Sequence, residues 1–177
     1  MTGKELVTLT LQNLGEDTDE AAIAEYEERI LAGINEAYLE ICQTRYFPQK
    51  GVEVRPEGGR WIPRRMLPHD HQKTIGLYGE KGSAISYVEE MAGIRLPVRM
   101  ETVALRYVYV PGCIAMEDVP ILDEIYHPAL ADYAAFRLLI GGGRSRQARG
   151  DIFYMNYMRR IQRITPQGAD GRFINRY

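Results

Sequence analysis

Residues 104–139 read ALRYVYVPGCIAMEDVPILDEIYHPALADYAAFRLL, and the periodicity of the chain changes inside that stretch. Val103, Leu105, Tyr107 and Tyr109 fall on one side of an extended segment, with Ala104, Arg106, Val108 and Val110 on the other. That alternation is the period of two that a β-strand imposes. Pro111 and Gly112 interrupt it. Past Pro128, whose missing N–H costs nothing in the first turn of a helix, Leu130, Tyr133, Ala134, Arg137 and Leu138 recur at helical steps until Gly141-Gly142-Gly143. Strand and helix therefore belong to one chain.

Upstream, the reading is helical. Thr2-Gly3-Lys4-Glu5 fits a capping box, Val7, Leu11 and Leu14 share a face, and Gly15 closes the segment. A second helix starts from Thr18 or Asp19 and carries Ile23, Tyr26, Ile30, Ile34, Ala37 and Ile41 at three- and four-residue steps. Its acids, Asp19, Glu20, Glu25, Glu27 and Glu28, crowd the end where the helix dipole favours negative charge. Pro48 and Gly51 are expected to stop it. Over residues 52–120 helical periodicity disappears, and glycine and proline punctuate short apolar runs. Residues 73–79 and 83–88 flank Glu80-Lys81-Gly82 as an expected hairpin, and residues 102–110 form the best strand. Downstream of the glycines a last helix spans about 145–164. Ile152, Met155, Met158 or Arg159, and Gln162 line one side; Tyr154, Met158, Ile161 and Thr165 form a neighbouring stripe. Pro166 ends it.

The expected fold class is α+β, mainly α: an antiparallel helical bundle with a small antiparallel β insert between helices 2 and 3 and an extended C-terminal tail. Residues 1–166 form one domain, made of helices in 1–47, a β-rich insert in 50–120 and helices in 122–165. The tail is 167–177, polar and glycine-containing before Arg172, Phe173, Ile174, Arg176 and Tyr177.

The chain has 177 residues, enough to bury a core without disulfides or metals. Cys42 and Cys113 stand far apart in unlike contexts, which favours two reduced thiols in an intracellular protein over a disulfide framework. No apolar run follows a basic start, so no secretory signal is expected. None approaches the length of a membrane span either. The net charge of −2 hides an asymmetry: residues 1–47 carry 3 basic and 10 acidic side chains, whereas residues 121–177 carry 9 arginines, no lysine and 5 acids. Solvated helix faces account for most such runs. The alternative is that acidic and basic faces of neighbouring copies meet, as in a head-to-tail ring.

Residues with chemistry are few. His69-Asp70-His71 has the alternation of two metal ligands on a strand, but no third or fourth ligand lies nearby in sequence, and a solvated loop is the simpler reading. The run 141–146, GGGRSR, precedes a helix yet lacks the spacing of a phosphate loop. Neither cysteine has a catalytic context and no pair of acids is marked for acid–base work. The expectation is a non-enzymatic chain with no catalytic residue, no metal and no cofactor. Arg144, Arg146, Arg149, Arg159, Arg160 and Arg163, interleaved with Tyr154 and Tyr157, are the residues one would want against phosphate and bases. An inter-subunit surface explains them as well.

The quoted stretch resembles the tailed-bacteriophage head–tail connector (adaptor) family. There an aromatic-rich strand runs through a polar loop into a Pro-Leu/Ile-x-Glu-x-Tyr-His helix start, matched here by Pro120-Ile121-Leu122-Asp123-Glu124-Ile125-Tyr126-His127. Ile34-Asn35-Glu36-Ala37-Tyr38 and the aromatic-Pro step Phe47-Pro48 are also similar to that family. The β insert matches it only in general character.

The resemblance implies a ring, commonly of twelve copies, in the neck of the virion between head and tail, made in the host cytoplasm. Such a ring docks under the portal protein, helps retain packaged DNA and offers a platform to a downstream tail or neck protein. DNA would pass through the lumen without sequence-specific binding, and no membrane is involved. On this reading Glu20, Glu25, Glu27 and Glu28 form the acidic inter-subunit face, and the six arginines the basic one. The tail, with Arg172, Phe173, Ile174, Arg176 and Tyr177, orders on the portal or on a neighbouring subunit. The alternatives are another neck or tail-completion ring protein, such as a stopper or tail-tube-associated ring, and a DNA-binding accessory protein.

Overall fold

The computed structural model describes residues 1–165. The mixed α+β class holds, with four α-helices and two small antiparallel sheets among the described residues. The chain divides into two compact units: Phe47–Pro111, and the residues on either side of it.

The helical unit begins with α1, Gly3–Leu14. Thr2 accepts from the Glu5 amide while the Glu5 carboxylate accepts from the Thr2 amide, so the expected capping box forms. Gly15 ends the helix in the left-handed region, at φ 71°, where its own N–H and that of Glu16 reach back to the Gln12 and Leu11 carbonyls. Helix α2, Glu20–Ile41, is capped by Asp19, whose side chain accepts from the Ala22 amide at 2.8 Å. Its regular turns end before the expected stop at Pro48. A π-helical turn, Cys42–Tyr46, follows, burying Cys42 and Tyr46, and the chain leaves it through Phe47 at φ 50°.

Helix α3, His127–Leu139, contacts α1, α2 and α4. Its sequence explains why: buried residues occur on most sides of it, from Ala129, Leu130 and Ala131 to Tyr133, Ala134, Ala135 and Leu138, with Arg137 exposed, the pattern of a helix largely enclosed by others. Alanine and glycine let backbones approach. A Cβ on Gly33 would lie 3.0 Å from the Ala134 Cα. Helix α4, Arg144–Ile161, buries Gly150, Tyr157 and Ile161.

The β insert was expected to run to residue 120, but residues from Gly112 onward belong to the helical unit. Ile114 and Leu122 are part of its core. The Asn35 side chain holds both the N–H and the carbonyl of Ile114. The amides of Gly3 and Lys4, which no helix turn can satisfy, donate to the Asp118 and Met116 carbonyls. The loop is captured by helix termini and side chains that its own sequence does not reveal.

The β unit contains a four-stranded sheet in the order β1-β7-β3-β4, with β1 Gln49–Val54, β3 His71–Tyr78, β4 Ala84–Ile85 and β7 Val103–Tyr109. A three-stranded sheet has the order β2-β6-β5, with β2 Trp61–Pro63, β5 Val88–Glu90 and β6 Gly93–Arg95. Strand β7 sits between β1 and β3, and its inward residues Val103, Leu105 and Tyr107 are buried as the alternation predicts. The hairpin around Gly82, at φ 72°, forms. Its second strand is shorter than expected: only Ala84–Ile85 pairs with β3, and Val88–Glu90 joins the other sheet. Ile62, Ile94, Leu77 and Leu105 from the two sheets share one core.

Candidate functional site

The arginine-rich helix α4 is fixed from its inner side. Tyr133, Phe136, Tyr154 and Tyr157 form an aromatic seam between α3 and α4, with centroids 4.9 Å apart for both Tyr133–Tyr157 and Phe136–Tyr154. The seam is tied to α2 by carboxylates: the Tyr133 hydroxyl donates to Glu36 at 2.8 Å and the Tyr157 hydroxyl to Glu40 at 3.2 Å. Burial, reinforced by Glu36, pushes the Tyr133 hydroxyl up to about 12. Burial beside Glu40 holds the Tyr157 hydroxyl far above the ordinary tyrosine range. Both are therefore permanent donors at physiological pH.

The six arginines assigned to one basic face do different things. Arg160 donates to Asp132, a carboxylate 4% exposed on α3, at 2.8 Å. Burial raises the Asp132 pKa and Arg160 opposes that rise. Arg149 donates to the Leu14 carbonyl at 2.9 Å, satisfying the end of α1. These two serve the fold. Arg144, Arg146, Arg159 and Arg163 are exposed and form no ion pair with a described residue. The expected stripe through Ile152 and Met155 does not face inward. Both are exposed, and the buried line runs through Gly150, Tyr157, Ile161 and Ile164. Period alone identifies stripes on a helix; which stripe meets α3 depends on tertiary partners.

On α2, Glu20, Glu25 and Glu28 are exposed and Glu27 is half-buried. None of the four forms an ion pair with a described residue. Arg172, Phe173, Ile174, Arg176 and Tyr177 lie outside the described residues.

The β unit carries the histidine motif, and only His69 of it is the solvated loop expected. Asp70 accepts from Lys50 at 2.8 Å and from the Tyr107 hydroxyl at 3.0 Å. The Lys50 bond holds its carboxyl below the ordinary range. His71 opens β3, stacks on Tyr107 and shares a hydrogen bond with Thr74 at 3.0 Å. His69 stays in the preceding turn. Both imidazoles border an open cleft of about 460 Å³ together with Arg64, Arg65, Glu89 and Glu90. Arg65 is paired with Glu57, and the lining carries both signs of charge. Among the described residues no three His, Cys, Asp or Glu side chains stand close enough to hold a metal ion. No helix among them is long and apolar enough to cross a membrane.

No protein-family model matches the chain, and no curated protein sequence matches it.

Proposed function

We propose that this chain is a non-enzymatic structural subunit of the head–tail connector of a tailed bacteriophage, one copy in a closed ring under the portal. The observation that carries the reading is unspent charge. Arg144, Arg146, Arg159 and Arg163 near one end of the chain, and Glu20, Glu25 and Glu28 near the other, find no opposite charge among the described residues. Unlike surfaces on different helices suit head-to-tail association, which closes into rings or runs on as filaments. The resemblance of residues 104–139 to the connector family supplies the location: the virion neck, with the portal above and a tail or neck protein below. In this reading the helices form the antiparallel bundle of the ring subunit, and packaged DNA crosses the lumen without sequence-specific contacts. Residues 167–177 are the part of the chain assigned to the portal or a neighbour, with Phe173, Ile174 and Tyr177 as anchors.

Electron microscopy of the purified chain with and without its cognate portal assembly tests this directly. A ring seated on the portal is expected; no association with the portal at any concentration would sink the proposal. Deleting residues 167–177 is expected to abolish docking while far-UV circular dichroism and the melting curve stay unchanged. Docking by the truncated chain would remove the role of the tail.

A further inference from the structure

The loop that leads into α3 is apolar on its outward side. Burial alternates along it: Pro120 and Leu122 are buried, whereas Val119, Ile121 and Asp123 are exposed. Val119 keeps 59% of its surface, Ile121 38% and, two residues past Asp123, Ile125 71%. Acids are interspersed with them. Glu117, Asp118, Asp123 and Glu124 are all exposed, and residues 112–126 hold no lysine or arginine. Asp118 accepts from the Ala115 amide and Glu124 lies 3.7 Å from the Met1 ammonium. Glu117 and Asp123 form no ion pair with a described residue. The described chain returns to this loop at its far end: the Tyr126 hydroxyl donates to the Arg163 carbonyl at 3.0 Å, and Ile164 is buried in the helical core.

We propose that this loop is the docking surface for the chain's own residues 172–177, Arg172-Phe173-Ile174-Asn175-Arg176-Tyr177. Reach, chemistry and charge select that occupant. Arg163 is held on Tyr126, the neighbour of Ile125, and the ten residues from there to Phe173 can span about 33 Å. Phe173 and Ile174 therefore have ample chain to come back to Ile121 and Ile125. Exposed aliphatic side chains gain from an apolar cover, and Phe173, Ile174 and Tyr177 are the large apolar residues beyond the described ones. Arg172 and Arg176 bracket Phe173 and Ile174, just as Glu117 and Asp123 bracket Val119 and Ile121. Ile152 and Met155 are also exposed, but they sit on α4, which carries five arginines and one acid. Like charge turns the tail away from that helix. The contact lies within one chain, so it does not rest on the connector reading; in that reading the portal competes with the loop for the same anchors.

A contact of two or three side chains on an open loop changes populations only a few-fold, which a melting curve barely registers, so the test is site-resolved. Methyl NMR spectra of the full chain are compared with those of F173A/I174A, whose substitutions touch no described residue; circular dichroism confirms that both are folded. The Val119, Ile121 and Ile125 methyl signals are expected to differ between the two chains, while those of Ile152 and Met155 coincide. In R172E/R176E the docked-to-undocked ratio is expected to drop about two- to tenfold, moving the loop signals towards their positions in F173A/I174A. Coincident loop signals in the parent and F173A/I174A overturn the proposal. So do differences at Ile152 and Met155 instead, which would place the tail on α4, and loop signals that R172E/R176E leaves unmoved. The remaining rival is the tail of a second copy. Labelled F173A/I174A mixed with an equal amount of unlabelled parent is expected to keep its own loop signals; a shift to the parent positions would assign the loop to another copy's tail and overturn docking within the chain. Portal binding by a chain whose loop signals show no docking would sink this contact alone and leave the connector reading standing.

Discussion

His127 is fully buried, and its two ring nitrogens are treated unequally. Nε2 donates to the Leu122 carbonyl at 2.8 Å, while Nδ1 has no partner among the described residues. Burial holds its pKa below the ordinary value, with the Met1 ammonium, Glu124 and Asp123 as the nearby charges. A folded-state pKa below the unfolded one means that the unfolded chain takes up the proton first as pH falls. The contribution to stability is full above about 6.5 and is lost as pH drops towards the lowered folded value. His71, also lowered by burial, acts in the same direction. Urea midpoints are therefore expected to fall between pH 7.5 and 5.5, and H127Q to flatten that slope; parallel slopes would exclude His127 as the cause. The pair Asp132–Arg160 makes a second test. Removing the guanidinium in R160M strands a buried carboxylate, which should cost about 1–3 kcal/mol in equilibrium unfolding. A loss under about 0.5 kcal/mol would place Arg160 among ordinary surface residues.

Helices α2 and α3 meet where Gly33 faces Ala134, so a large side chain there has to push two backbones apart. G33L is expected to destabilise the helical unit by about 1–3 kcal/mol through overpacking. In contrast, I152A/M155A should leave the monomer within about 0.5 kcal/mol of the parent, since neither side chain is buried in one copy. The pair of measurements separates residues that build the helices from residues that stay exposed on them. Within the β unit, Gly93 lies at φ 155° and a Cβ there would overlap the Ile62 carbonyl, which explains why β2 and β6 pair through a glycine.

Each unit assembles its core from its own residues: Leu6, Ile34, Leu130 and Tyr157 among others in one, Ile62, Leu77, Ile94 and Leu105 in the other. The chain enters and leaves the β unit on adjacent strands, with Gln49 opposite Val108 and the Tyr109 amide donating to the Pro48 carbonyl at 3.0 Å. Entry and exit can therefore be joined without strain. Replacing residues 47–111 by a short Gly-Ser linker is expected to leave a helical, cooperatively melting protein. Loss of the cooperative transition would show that the helical core needs the insert.

Local chemistry was legible from the residues. The Thr2–Glu5 box, a cap at Thr18 or Asp19, the Gly15 terminator and the alternation of β7 depend on neighbours two to four positions away, and Asp19 is the one of the two that caps. The strand–helix switch after Pro111 and the α+β class follow from the same short-range rules. Direction and partnership were not legible. Both apolar stripes of α4 satisfy the helical period, and only packing against α3 through Tyr157 decided that Ile152 and Met155 face out. Arg149 and Arg160 look like their neighbours in sequence until Leu14 and Asp132, far away along the chain, claim them. The loop after Pro111 likewise joined the helices because Asn35 and the amides of α1 needed partners. Burial and long-range hydrogen bonding are properties of the assembled chain, so the division of the arginines into those engaged by the fold and those without an ion pair among the described residues was decided by tertiary structure alone.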